Sequence, residues 1–311
     1  MFSRQRASVV AERVQTSREV SEEKDATDPL SRAREQVPAL VMRSVENARV
    51  ALEDGKVDNA IKMMKSTDAL CSRVVAPPTI HGLALRVLAD AYVQKAAGRG
   101  EGEAASAGET EGASAGESSA EVSEEGDASV DYVALAKKAL NRGIDICKMH
   151  EGRAGMPPFM VADLAGRMGD LYAALGEIFR EEGNYKEALR ALRQGILRFE
   201  QMASNDFIAA TYNRVAYCYM EKEQWKEALD ELQSAERAAS GAESEAAIMS
   251  TTFAYRGRCF KALNKIESAR AAFESALNRA MTSGNEPVVR EAEEFLAETQ
   301  AHSVVDDSAF L

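Results

Sequence analysis

LGEIFREEGNYKEALRAL, residues 175–192, and VAYCYMEKEQWKEALDEL, residues 215–232, share one pattern, and a third stretch, RGRCFKALNKIESARAAF at 256–273, repeats it. The tetrapeptide KEAL recurs forty residues apart, at 186 and 226, and the third copy follows forty-one residues after the second. In each copy a small residue is followed three positions later by an aromatic one and then by a polar turn. Beyond the turn come an aromatic or branched residue, an Ala three further on and a large apolar residue four after that. Apolar spacing of i, i+3 and i+4 on both sides of the turn predicts a helix, a short turn and a second helix. Repetition at this period predicts an array of such pairs, each burying an apolar face on the next.

Gly176, Ala216 and Gly257 hold the point of close helix approach, and Phe179, Tyr219 and Phe260 are the aromatics before the turn. After it come Ala188, Ala228 and Ala269, then Leu192, Leu232 and Phe273. Two earlier units follow the same rule. One starts near Val41, with Ala48, Gly55 in the turn, Ala60 and Met64, and with Ala51 where the others have an aromatic. The other starts near Gly82 with Leu88, Ala89 and Tyr92, breaks off, and resumes at Ala136, Leu140 and Gly143. The interruption, 97–130, is mostly Gly, Ala, Ser and Glu with no aromatic residue and almost no branched apolar one. Such a composition buries too little to order itself, so a disordered acidic insertion is expected inside the second repeat. Loop-closure entropy grows only logarithmically, so an intra-repeat turn tolerates this length.

These residues resemble the tetratricopeptide repeat family, whose unit is a helix–turn–helix of about 34 residues. The longer period here resembles the subgroup that contains kinesin light chains and the LGN-type spindle-orientation adaptors, and the segment 277–296 echoes that subgroup's linker. No unit has the Pro that the family often carries near the end of the second helix. The resemblance covers about 41–300. It implies an all-α, right-handed superhelical solenoid of about five helix pairs. A capping helix over 286–300 is expected, with Val288, Ala292, Phe295 and Thr299 on one stripe. The expected organisation is a polar or disordered leader over 1–38, a solenoid over 39–300 interrupted at 97–130, and a tail over 301–311.

Charge is segregated along the 311 residues. The formal net charge is −12, yet 21–97 and 131–285 each balance, and the excess acids lie in 98–130 and 286–311. A balanced body offers no basic stripe to neutralise phosphates, so nucleic-acid binding is not expected. No apolar run reaches the ~20 residues of a membrane-spanning helix, so no membrane insertion is expected. Four cysteines stand singly with no CxxC pair, which excludes a disulfide framework or zinc ribbon and fits a reducing, cytoplasmic setting. Arg4, Arg6, Arg13 and Arg18 raise mitochondrial import as the alternative, against which Glu12 and Glu19 argue.

Chemistry has few candidates. His81, His150 and His302 fall at expected repeat junctions or in the tail, none with a second His or Cys four residues away, and Gly152–Pro158 lacks the GK[ST] ending of a phosphate loop. Cys218 and Cys259 fall at small, packed positions, where buried inert thiols are expected. Neither an enzyme nor a cofactor is expected. The resemblance implies partner binding by residues on the first helix of each pair that face the inner curve: Arg49, Arg86, Asp90, Glu177, Arg180, Asn213, Tyr217, Arg258 and Lys261. Relatives that clamp chaperone carboxylates use Lys and Asn where this chain has Ala173, Glu177 and Thr251, so that partner class is not expected. The expected function is a non-catalytic scaffold or adaptor whose groove holds a peptide segment or helix of another protein. The alternatives are a structural subunit of a larger eukaryotic assembly, ciliary, motor or mitochondrial, and a peptide-sensing regulatory module.

Overall fold

A computed structural model describes the backbone of residues 29–106, 130–153 and 155–308, with side chains over 36–98, 130–153 and 155–299. Among the described residues there are eleven α-helices and no strand. In chain order they are α1 (Pro29–Glu53), α2 (Val57–Val74), α3 (Pro78–Ser106), α4 (Tyr132–His150), α5 (Pro158–Glu181) and α6 (Tyr185–Met202). They continue with α7 (Asn205–Glu221), α8 (Trp225–Ala239), α9 (Glu245–Ala262), α10 (Ile266–Ser283) and α11 (Glu286–Ser308). The chain divides within α4 into two compact units, Met1–Ala136 and Lys137–Leu311.

The expected repeat appears first in the backbone of its turns. In four of them one residue is left-handed: Gly55, Gly183, Glu223 and Asn264, with φ between 57° and 74°. The next amide in each turn donates back to Ala51, Phe179, Tyr219 or Phe260 at 2.7–2.9 Å, which satisfies an orphan carbonyl of the ending helix. Ala51 therefore occupies the same structural place as the three aromatics. The Ala that opens each second helix, at 60, 188, 228 and 269, is fully buried, as is Ala136.

In the first unit α1 packs on α2, and α3 packs on both. The solenoid begins earlier than expected. Val37 is buried and continues the stripe of Val41, Val45 and Ala48, so α1 runs through Pro38 from a start at Pro29. The expected leader is thus helical from residue 29, and 1–28 lie outside the described residues. At the other end of this unit α3 continues to Ser106, past the expected boundary at Ala97. Propagating an existing helix gains one bond per residue fixed, and the buried turns around Leu85 and Ala89 supply the nucleus. The rest of the expected insertion, 107–129, lies outside the described residues.

In the second unit α5/α6, α7/α8 and α9/α10 are the three strong repeats, and each first helix also packs on the next first helix. Their cores are continuous with the cap. Phe273, Ala276 and Ala280 pack with Val288, Ala292 and Phe295 of α11, the Phe273 and Phe295 ring centroids lying 4.6 Å apart. The capping helix is longer than expected, since α11 reaches Ser308 and absorbs most of the segment expected as a tail.

Candidate functional site

In the second unit, one face of α5, α7, α9 and α11 carries a continuous ladder of cations, aromatics and carboxylates. It begins where Arg180 Nε donates to Glu177 Oε2 at 2.9 Å on α5, and Arg180 also donates through Nη1 to Glu221 of α7 at 3.0 Å. The same guanidinium lies over the Tyr217 ring, 5.1 Å from its centroid. Arg214, one turn before Tyr217, reaches back to Glu177 at 3.4 Å. Tyr217 meets Tyr255 of α9 at 5.4 Å between centroids. Arg258 then lies over Tyr255 at 5.3 Å and donates from Nε and Nη2 to both oxygens of Glu291 on α11, at 2.5 and 2.6 Å. Lys261 closes the ladder, over Phe295 at 5.0 Å and 3.5 Å from Glu298.

The geometry follows from the repeat. A first-helix residue returns to nearly the same place about forty residues later, so side chains on one face of α5 meet those of α7, and those of α7 meet α9. Burial opposes the Arg180 charge, but Glu177, Glu221 and Glu181 outweigh it and hold the guanidinium more firmly protonated than usual. Arg258 is raised chiefly by the hydrogen bonds it donates to Glu291. Burial pushes the Tyr255 hydroxyl up, so it stays neutral. The face therefore presents neutral aromatics between charges that are already paired. Such a surface offers ring faces, hydroxyls and carboxylate edges to a partner, with no unmatched field of one sign.

Within the second unit the structure brings together Glu177, Arg180, Tyr217, Arg258 and Lys261. Arg49 is exposed on α1, and Arg86 is paired with Asp90 on α3, all three in the first unit. Asn213 is corrected. It is 5 % exposed, Thr252 Oγ1 donates to its Oδ1 at 3.0 Å, and its Nδ2 lies 3.5 Å from the Ile248 carbonyl. Its amide faces the α7–α9 seam and fastens one repeat to the next. Tyr255, Arg214, Glu221, Glu291 and Phe295 belong to the ladder and were missed. One repeat beyond Tyr217 stands Arg258, while Tyr255 stands one repeat beyond Arg214, so aligning the copies does not pair the two rings.

The cysteines of these helices lie in the core. Cys218 of α7 and Cys259 of α9 are fully buried, and burial pushes their thiols up to about 12 and about 11. The remaining thiols, Cys71 and Cys147, are raised in the same way. In the first unit His81 is buried against Asp68, its Nε2 2.7 Å from Oδ1, and joins α2 to α3. Among the described residues no group of three or more His, Cys, Asp or Glu side chains is arranged to hold a metal ion, and no helix is long and apolar enough to cross a membrane.

No protein-family model and no curated protein matches the chain. Solved structures do. The chain is similar to a kinesin light chain-like protein with nearly identical TPR-like repeats from Podosopora anserina, with a TM-score of 0.51 at 16 % identity, covering 79 % of this chain and 97 % of that one. It is similar to a signal-transduction ATPase with a tetratricopeptide repeat sensor from Pyrococcus horikoshii, with a TM-score of 0.56 at 14 % identity over 84 % of this chain and 34 % of that one. Aspartyl phosphate phosphatase F from Bacillus subtilis matches with a TM-score of 0.56 at 11 % identity, covering 89 % of this chain and 66 % of that one. At these identities the likeness shows the fold.

Proposed function

We propose that this chain, a tetratricopeptide-repeat protein in fold, is a non-catalytic scaffold or adaptor that holds a segment of another protein along the α5–α7–α9 face. The observation that carries this reading is the Tyr217–Tyr255 pair. Two rings stand between two guanidiniums on consecutive first helices, and aromatic and Arg side chains are the types that dominate protein interfaces. Because the flanking charges are already matched within the chain, the partner gains mainly from contact with the rings and from polar edges. A segment with apolar or aromatic side chains at helical or extended spacing fits that chemistry.

The test is site-specific photo-crosslinking in the native cell. A photoreactive phenylalanine placed at Tyr217 is expected to capture a reproducible protein partner, and the same group at Ala271, exposed on α10, is not. Equal capture at both positions would move the binding surface off this face.

A further inference from the structure

A cleft of about 410 Å³ opens elsewhere in the second unit, between α4 and α6 with α5 as its floor. Tyr172, Leu175 and Phe179 form the floor, spaced i, i+3 and i+7 on one stripe of α5. Leu175 is buried there, while both rings are only half-buried. Tyr172, Leu175 and Phe179 are not part of the ladder, which uses Glu177 and Arg180 on another side of α5.

The rim differs from the ladder in its charge. Lys148 of α4 lies over the Tyr172 ring at 5.7 Å, and Lys137 lies over Phe179 at 5.6 Å. Across the cleft Arg190 of α6 is 3.6 Å from Glu187, with 79 % of its side chain exposed, a loose pair in water. The two flanking helices are basic in a chain that is acidic overall. Four cations stand against Asp145 on α4, and four against Glu187 and Glu200 on α6; Lys137, Arg193 and Arg198 are paired with Glu182, Glu231 and Glu151, and Lys148 and Arg190 are the cations that line the cleft. Gln194 and Asn141 add side-chain amides at the rim. A carboxamide can pair with the main chain of an extended peptide, although Asn141 already donates Nδ2 to the Lys137 carbonyl at 2.9 Å.

We propose that this cleft is a second docking site, which takes an extended segment of another protein in which one apolar side chain stands between acidic residues. The apolar side chain fills the space over Leu175 between the two rings, and the acids meet Lys148 and Arg190. Charge complementarity selects this occupant: a basic segment would meet two rims of its own sign, and a wholly polar acidic one would leave the rings uncovered.

The experiment uses the full chain and a fluorescein-labelled Gly/Ser peptide that carries one Leu between pairs of Glu, read by fluorescence anisotropy. Saturable binding is expected, weakened by about tenfold or more when Leu becomes Ser or the Glu residues become Lys. Lys148→Glu combined with Arg190→Glu should weaken it comparably with helicity unchanged, since both side chains are exposed. Tyr217→Ala on the ladder should leave it unaltered. Absence of saturable binding, equal binding of the Lys-flanked peptide, or full binding by the charge-reversed variant overturns the proposal. So does concentration-dependent self-association of the wild type that the double variant abolishes, since the cleft would then be covered by a second copy.

Discussion

A β-carbon at Gly257 would stand 2.7 Å from the Phe273 ring, and one at Gly176 would stand 2.7 Å from Leu192 Cγ. At Gly98 on α3 it would meet nothing within 4 Å. Ala gains up to about 1 kcal/mol over Gly inside a helix, whereas overpacking a filled core costs about 1–3 kcal/mol. Gly257→Ala is therefore expected to lower the urea midpoint and Gly98→Ala to leave it equal or raise it; the same sign for both would mean that Gly257 is not a close-approach site. Ala228→Leu should cost about 1–3 kcal/mol for the same reason, since Ala228 is fully buried beside Leu232 and Cys259. Its control must be Ala271, which is exposed, because Ala239, outside the repeat's close-contact pattern, is also fully buried, against Ala209 and Met249. The turns offer the opposite test. Glu223 is exposed and left-handed at φ 57°, where two equivalent turns use Gly, so Glu223→Gly is expected to stabilise by about 1 kcal/mol in the same melts.

Elements are joined across repeats by polar latches that hydrophobic periodicity does not reveal. Asp206, in the first turn of α7, accepts hydrogen bonds from the Ser244 amide at 2.7 Å and the Glu243 amide at 3.3 Å, just before α9. These bonds, Ser244 first, hold its carboxyl below the usual aspartate value. A carboxylate depressed in the folded state contributes stability above the unfolded value, near 3.9, and loses it as pH falls through the folded one. Asp206→Asn should therefore melt below the wild type at pH 7, and the gap should close in acid; a gap independent of pH would assign the loss to something other than the charge. The contrast explains what could be read in advance. Paired helices, buried Ala60, Ala188, Ala228 and Ala269, and the cap follow from spacing alone, because apolar periodicity and packing are one fact. Asn213 has the spacing of a groove residue, and only the rotation of α7 against α9 turns it into the seam with Thr252. Arg180, Tyr217 and Arg258 fall on one face, but the carboxylates Glu221 and Glu291 that meet the two arginines come from neighbouring helices, and a self-aligned sequence does not say which charges face each other across a seam. Helix ends were least legible: Pro38 hid the continuity of Val37 with Val41, and the Gly-rich composition after Ala97 hid the helix that runs on to Ser106.

At the scale of the whole array, stability is a sum of local terms and nearest-neighbour contacts, so damage at one end should stay there. The last repeat depends on α11. Phe295 and Val288 cover Phe273 and Ala276, while Glu291 holds Arg258 and Glu298 lies beside Lys261. Ending the chain after Gly284 removes both kinds of contact together with seven acids, leaving an apolar flank with less repulsion to keep copies apart. Removing the cover from a buried Phe costs roughly 1.5–3 kcal/mol, enough to loosen α9 and α10 without melting α5 to α8. The truncated chain is expected to aggregate while still mostly helical, with hydrogen-exchange protection lost over 245–283 and kept over 158–239. Arg258→Ala with Lys261→Ala tests the polar share, and because Arg258 is tied to Glu291 the expected result is faster exchange in α11 as well as weaker partner capture. Uniform loss of protection along the unit would show that its repeats unfold as one body. A truncated chain that stays monomeric and melts like the full-length protein would show instead that α11 contributes nothing to the last repeat, and the Phe273–Phe295 contact would have no energetic role.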